Sequence, residues 1–312
     1  MDNFLIIDLG TNTVIFSVLS VRNSELIITH EKSITTRIGE DVSKQNCISQ
    51  EALDRNIKII SKEVSETQKK FKIRSVFAMT TDAIRCASNG DICVKDINSK
   101  CNINMETISG QDEARYTSDA VLGLYKDRGL SAICDIGGGS TEVIITDNDM
   151  TKSSESFSMG VVRLEEEFAF SKSDVGLASA ITKIEATLAP IKTKVDSLIL
   201  CGGTATTTAA IMLGIKKYDP NKVEAFKMHK EDIKKLQNVL FSSTLEQIKD
   251  LLITDKGRAD VITAGVVIIN TMLNVFEPKN TFVSTYGPRH GYAMEKLKIK
   301  KPCKISYRLE NI

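Results

Sequence analysis

Nowhere in the 312 residues does an apolar run approach the roughly 18 needed to cross a bilayer. The opening MDNFLIIDLG has neither a basic leader nor a small-residue cleavage site, so neither export nor membrane insertion is expected. An excess of one charge is missing too: 41 Lys and Arg stand against 40 Asp and Glu, a net charge of +1. No global field draws this chain to a nucleic acid polymer or an anionic membrane, and any anion site must be local. The three histidines, His30, His229 and His290, neither cluster nor show ligand spacing, which removes a histidine metal site and a histidine nucleophile. Seven cysteines are scattered at positions 47, 86, 93, 101, 134, 201 and 303 without the paired spacing of a zinc site. Reduced thiols in a cytoplasmic protein, each acting as a small buried apolar group, are expected. With five prolines and no low-complexity tract, there is no sign of a disordered linker.

What is present is a chain 42% hydrophobic and 26% charged, able to bury a full core and long enough for two domains. Phe4 to Ile7 reads as a strand that meets Asp8, then Gly10-Thr11-Asn12-Thr13, then a second strand from Val14 to Val18. A third strand follows near Glu25 to Ile34. Leu53, Ile57, Ile60, Val64 and Phe71 then recur on one helical face. Ser75 to Thr80 and Met105 to Ile108 read as strands, and Gln111 to Leu124 as a helix with acidic residues in its first turn.

The pattern then restarts. Ala132 to Ile136 is a strand ending in aspartate, Gly137 to Ser140 a turn, and Val143 to Thr146 a strand. A strand at Ser156 to Met159, a helix near Ala178 to Leu188, a strand at Leu198 to Leu200 and a loop at Gly202-Gly203-Thr204 leading into a helix follow in the order of the first half. Ala259 to Phe276 is apolar almost all round and reads as a core helix.

DLGTNT at 8 to 13 and DIGGGSTE at 135 to 142 share one logic: a strand-end aspartate followed by a turn whose amides can surround phosphate oxygens. Read alone, either is an ordinary glycine turn; the repetition makes a phosphate clamp the better reading. It comprises Gly10, Thr11, Asn12 and Thr13 in the first copy, and Gly137, Gly138, Gly139, Ser140 and Thr141 in the second. An aspartate repels phosphate unless a divalent cation bridges the two, so Asp135, Glu142 and Asp8 imply Mg²⁺ or Mn²⁺ held through oxygens and water.

Repeated phosphate turns in a duplicated βββαβαβα chain resemble the superfamily of actin, heat-shock chaperone ATPases and sugar kinases. The resemblance implies an α/β fold of two actin-like, ribonuclease H-like domains flanking a central cleft, here expected over residues 1–125 and 126–312, with the last helix able to pack back on the first domain. Narrower segments choose a branch: MTTDAIRCASNG at 79 to 90, ISGQDEAR at 108 to 115, DIGGGSTE, SMGVVRLEEEF at 158 to 168 and GRADVITAG at 257 to 265. In that order they resemble the exopolyphosphatase/guanosine-pentaphosphatase family along nearly the whole chain.

That resemblance implies roles. Glu113 matches the family's water-activating glutamate, where a helix-start carboxylate could otherwise be a dipole partner. Arg85 matches its phosphate-binding arginine, where the alternative is a surface ion pair. Gly203 and Thr204 resemble the third loop of the fold, and Arg258 and Arg289 resemble positive positions on the rim of the cleft. The lysine runs at 216–217, 234–235 and 300–301 read as solvated faces. A homodimer is implied in the same way.

The chain departs from the family at Val14 and Ile15, where many relatives are basic, and at His290, which replaces an acidic residue after Arg289. It also stops where long members continue into a helical half that helps grip extended polymer. The expected activity is release of terminal orthophosphate from inorganic polyphosphate. The alternatives are 5′-phosphate hydrolysis of guanosine pentaphosphate, or a weakly catalytic sensor of such polyanions. A kinase or chaperone would need an adenine reader with a sugar site or peptide domain, none of which is evident.

Overall fold

The computed structural model describes residues 2–125, 128–148, 150–169, 174–252, 255–300 and 303–309. In chain order the first part runs β1 (Asn3–Leu9), β2 (Thr13–Arg22), β3 (Glu25–Thr35), α1 (Val42–Gln45), α2 (Gln50–Lys70), β4 (Ile73–Thr80), α3 (Asp82–Cys86), α4 (Gly90–Cys101), β5 (Met105–Thr107) and α5 (Gly110–Val121). The second runs β6 (Leu130–Ile136), β7 (Thr141–Asp147), β8 (Met150–Phe157), α6 (Val161–Phe168), α7 (Asp174–Leu188), β9 (Ser197–Cys201), α8 (Gly202–Leu213), α9 (Pro220–Val223), β10 (Lys227–Met228), α10 (Lys230–Ser242), α11 (Leu245–Leu251), α12 (Ile262–Phe276) and β11 (Asn280–Val283). The chain closes with α13 (Pro288–Lys296) and β12 (Lys304–Tyr307).

Two compact units result: Met1–Leu124 with Pro288–Ile312, and Tyr125–Gly287. The sheet of the first has the order β12-β3-β2-β1-β4-β5, that of the second β10-β11-β9-β6-β7-β8. Reversed, the second becomes β8-β7-β6-β9-β11-β10. Five strands therefore correspond one to one, and each unit adds one strand at the opposite edge. In both, the first hairpin is antiparallel and the next strand joins its first strand in parallel. The duplication legible in the sequence is a duplication of topology.

Local chemistry explains the elements. The α2 helix starts where the Ser49 hydroxyl accepts from the Ala52 amide at 3.1 Å, and it buries Leu53, Ile60 and Val64. Their core also holds Leu5, Ile7, Phe16 and Ala78 from the sheet. In the second unit, Val266 to Ile269 of α12 are wholly buried, as expected for a helix apolar all round. It packs among Leu198 and Leu200 of β9 and Ala205 of α8.

Some boundaries differ from the sequence expectation. The strand expected at Ser156 to Met159 begins at Met150, because an edge strand tolerates the polar run Met150–Phe157 on its exposed face. Gly202-Gly203-Thr204 is no loop but the first turn of α8. The structure adds α1, α3, α4, α6, α9, α10 and α11 to the helices expected from the sequence. Among the thiols, Cys93, Cys101, Cys134, Cys201 and Cys303 are buried, but Cys47 is half-buried and Cys86 exposed. Lys216, Lys217, Lys234, Lys235 and Lys300 are exposed, and Lys301 lies outside the described residues. Among the described residues, no helix is long and apolar enough to cross a membrane.

Candidate active site

The two glycine turns are built alike. The Gly10 amide donates to the Thr13 carbonyl at 3.0 Å, and the Gly137 amide donates to the Ser140 carbonyl at 3.0 Å. Each turn has its carbonyls tied back by a neighbouring segment. Thr11 O accepts from the Gly39 amide, and Asn12 O accepts from the amides of Thr36 and Arg37. Gly137 O and Gly138 O accept from the amides of Val161 and Val162 at the start of α6, and Gly139 O accepts from Arg163 Nε at 2.8 Å. With the lone pairs occupied, what a turn can offer an anion is its amide side.

A glycine presses on each turn. A Cβ on Gly39 would stand 2.3 Å from Thr11 Cγ2 and 2.9 Å from Ala83 Cβ; one on Gly160 would stand 2.3 Å from Gly138 O and 2.5 Å from Gly139 N. Neither glycine is among the site residues expected from the sequence: Gly160 lies within SMGVVRLEEEF at 158 to 168 without a role, and Gly39 lies outside every motif. Their signal is a glycine after the third strand or before α6, at the point where backbone must approach the turn.

In the first turn the Asn12 side-chain amide is buried, with no hydrogen-bond partner among the described residues. Leaving such a donor unpaired costs about 1–3 kcal/mol, which suits a group reserved for a ligand. The turn is held to β4 by the Thr80 hydroxyl, which donates to Leu9 O at 2.9 Å. Ala83, against Gly39, belongs to the same short helix as Arg85.

Arg85 and Glu113 meet. Arg85 Nη1 donates to Glu113 Oε2 at 3.2 Å and to Ile108 O at 2.9 Å. The Glu113 side chain is 9% exposed and that of Arg85 22%. Glu113 lies in the first turn of α5, whose N-cap Ser109 accepts from the Asp112 amide. The hydrogen bond from Ser109, then that from Arg115, holds the Asp112 carboxyl below its usual value, so this neighbour is committed to the helix start.

Asp8 pairs in register with Ile15, whereas the corresponding Asp135 pairs with Glu142. The two-carboxylate arrangement across the hairpin is therefore present in the second unit alone. Asp8 instead contributes to holding the positive charge of Arg289. Arg289 itself is nearly buried. Its Nε and Nη2 donate to Glu31 at 3.1 and 3.2 Å, and Nη2 also donates to Tyr307 Oη at 3.1 Å. Burial opposes its charge, but Glu31, Tyr307 and Asp8 outweigh this and keep the guanidinium firmly protonated. His290, in the place of an acidic residue, contacts the same Tyr307 hydroxyl at 3.2 Å.

In the second unit Asp135 and Glu142 are both buried, and Glu142 Oε1 accepts from the Ser156 hydroxyl at 2.7 Å. Gly202, with φ +83°, is so close to Asp135 that a Cβ would lie 2.4 Å from Oδ1; a Cβ on Gly287 would lie 3.4 Å from Oδ2. Gly203 lies under the Arg258 guanidinium, 2.3 Å from where its Cβ would be, and Arg258 Nε donates to Asp255 at 2.8 Å. Thr204 is buried against Gly265 of α12. Asp135, Glu142, Gly203, Thr204 and Arg258 thus share one unit with the second turn, while Thr141 donates its hydroxyl to Met159 O.

Among the described residues, no group of three or more His, Cys, Asp or Glu side chains is placed to hold a metal. The donor set at Asp135 and Glu142 nonetheless fits a hard divalent cation. Such an ion takes one or two carboxylates and completes its shell with water and phosphate oxygens.

Two copies of a sheet with an aspartate-glycine turn after its first strand define a duplicated α/β chain of the actin-like ATPase type. Residues 17–300 match the model of the Ppx/GppA phosphatase family, and the chain belongs to that family. It is 28% identical to a bifunctional 3-dehydroquinate synthase/phosphatase of Fusobacterium nucleatum over 94% of this chain and 47% of that protein. It is 29% identical to a guanosine-5'-triphosphate,3'-diphosphate pyrophosphatase of Aliivibrio fischeri over 66% of this chain and 42% of that one. With exopolyphosphatase 2 of Mycobacterium tuberculosis, identity is 24% over 85% and 88%. The chain thus spans about half the length of some curated relatives and most of another. A crystal structure of the Aquifex aeolicus family member superposes with a TM-score of 0.79, covering 95% of this chain and 98% of that one at 26% identity.

Proposed function

We propose that this protein is a phosphoanhydride hydrolase that releases terminal orthophosphate from inorganic polyphosphate. The observation that carries the reading is the twice-built turn, with its carbonyls tied back and an unpaired buried donor at Asn12 beside it. Family membership supports hydrolysis over the other reactions of this fold.

Gly10 to Thr13 and Gly137 to Thr141 bind phosphate oxygens through amides and hydroxyls, and Arg85 adds its planar fork of donors. Glu113 accepts the proton of the attacking water, which needs a carboxylate within hydrogen-bond reach. Gly203, Thr204 and Arg258 contribute to phosphate binding beside the second turn. Arg289 holds the first unit together rather than contacting phosphate. Asp135 and Glu142 would hold Mg²⁺ or Mn²⁺; when bound, the ion would neutralise charge on the phosphate chain. The protein acts in the cytoplasm, and a homodimer is its proposed assembly.

Hydrolysis of the 5′-phosphate of guanosine pentaphosphate is the second reading, favoured by the similarity to the Aliivibrio fischeri pyrophosphatase. Orthophosphate release from medium-chain polyphosphate and from guanosine pentaphosphate, with Mg²⁺, separates the two. Polyphosphate release that falls at least about 100-fold in Glu113→Ala supports the first reading. Activity on the nucleotide alone replaces it with the second, and binding without release from either leaves a sensor. The metal assignment is checked by calorimetric Mg²⁺ titration, where Glu142→Gln is expected to weaken binding about 10-fold or more.

A further inference from the structure

Asp82 lies in the segment at 79 to 90 without a role so far, next to Arg85, which is proposed above to bind phosphate. It opens α3 directly after β4, is 3% exposed, and carries a titratable group that the chemistry above does not use. Its Oδ1 stands 3.6 Å from Arg85 Nη2, and the same oxygen accepts from Cys86 Sγ at 3.4 Å.

The two edges of the Arg85 guanidinium are thereby divided. Nη1 is taken by Glu113 and the Ile108 carbonyl, while Nη2 faces Asp82. Ile108 sits where β5 gives way to α5, so one guanidinium ties together α3, the end of β5 and the helix that carries Glu113.

In simple charge terms Asp82 is out of place. One guanidinium lies between two nearly buried carboxylates, and the surplus negative charge disfavours a polyanion. A compensating gain comes from order. A free arginine side chain carries considerable rotamer entropy, and a fork held at both edges has given that up before any ligand arrives. The remaining 22% of its side-chain surface then meets phosphate in a fixed orientation.

We infer that Asp82 is a positioning residue for phosphate binding: it holds the Nη2 edge of Arg85 so that the guanidinium presents a fixed face to the phosphate chain. This rests on Arg85 as a phosphate-binding residue. It does not require turnover. Because the pin acts on ground-state binding, its loss raises Kd and KM together and leaves kcat nearly unchanged.

A double-mutant cycle on the full chain tests this, with Asp82→Asn, Arg85→Ala and the double variant. Tripolyphosphate affinity is read by calorimetry, phosphate release is measured in parallel, and thermal midpoints show whether each variant folds. Asp82→Asn keeps the side-chain volume and is expected to raise Kd and KM by roughly 5- to 10-fold with kcat within about 3-fold. In the Arg85→Ala background it is expected to add nothing, since its effect passes through Arg85.

An equal loss in both backgrounds overturns the inference, because Asp82 then acts on the fold at large. Tighter binding by Asp82→Asn also overturns it, leaving Asp82 as a mere repulsive charge. A wild type that binds tripolyphosphate but releases no phosphate removes the hydrolase reading, while the cycle still decides this one. A wild type that binds no phosphate chain removes both.

Discussion

Gly291 of α13 lies so close to Tyr116 of α5 that a Cβ on it would stand 2.1 Å from the Tyr116 carbonyl oxygen and 2.6 Å from its Cα. Backbone meets backbone here, and no side-chain rotation relieves the clash. The contact matters because α5 carries Glu113 three residues before Tyr116, so the C-terminal segment fixes the helix that holds the proposed base. Gly291→Ala is therefore expected to cost about 1–3 kcal/mol by overpacking and to lower kcat by shifting α5. Urea unfolding and phosphate release measure the two. Full stability with full activity would show that α5 does not depend on this contact.

The same helix pair supplies a pH dependence. Glu295 accepts from Tyr116 Oη at 2.7 Å and from Arg115 Nη1 at 2.7 Å. The hydrogen bond from Tyr116 holds its carboxyl below the ordinary value of 4.5 against the opposing effect of burial; Arg115 and Lys296 add to the lowering. A carboxyl lowered in the folded state contributes stability above its unfolded value, and loses it as pH falls through the folded one. Wild type is thus expected to exceed Glu295→Gln in urea midpoint near neutral pH, and the gap is expected to shrink as pH falls below 4.5. With both Arg115 and Glu295 side chains 43% exposed, the gap is at most about 1 kcal/mol. A gap unchanged down to acid pH would remove the ion pair from the account.

Much of this was legible in the sequence because it is local. An aspartate closing an apolar strand and a glycine two residues later fix a strand, a turn and the next strand. The helical spacing of Leu53, Ile60 and Val64 fixes α2 in the same way. What escaped depends on distance in space. The α4 helix starts on Gly90 and includes Asn98 and Ser99, poor helix formers, although Cys93, Ile97 and Cys101 at every fourth position mark its buried face. Val161 and Val162 look like core residues in the sequence; that their amides grip the second turn becomes visible when α6 is folded against it. In the sequence, Ile15 opposite Asp8 marks only a missing basic residue. Its consequence, that the paired carboxylates exist in one unit, follows from strand register.

Arg289 resembled a positive position on a cleft rim, but its two-point pairing with Glu31 gives it a structural task. The side chains are 12% and 15% exposed, and removing one member of such a pair leaves the other charge buried. Arg289→Met is expected to destabilise the protein by about 3–5 kcal/mol. Adding Glu31→Gln to it should cost much less than the sum of the single effects. Chemical denaturation gives these values, and calorimetry with tripolyphosphate gives the contrast. An Arg289→Met protein of wild-type stability with weakened affinity would return Arg289 to the phosphate-binding set.

The two buttress glycines predict an asymmetry between the otherwise matched turns. An added methyl at Gly39 meets first the end of the Thr11 side chain, which can turn away, and only then Ala83 Cβ at 2.9 Å and the Thr11 carbonyl oxygen at 3.2 Å. At Gly160 it meets Gly138 O and Gly139 N, the turn backbone itself, which the α6 amides and Arg163 already hold from the same side. Relief there requires the turn to move, and a displacement near 1 Å in a catalytic constellation costs on the order of 100-fold in rate. Gly160→Ala is thus expected to lower kcat/KM for phosphate release about 100-fold, and Gly39→Ala by less than about 10-fold. Both would be assayed on polyphosphate and on guanosine pentaphosphate, with thermal midpoints to show that the folds persist. Equal losses in the two variants would mean that the second turn yields as easily as the first. The assignment of Gly138 and Gly139 as rigid phosphate-binding backbone would then fall.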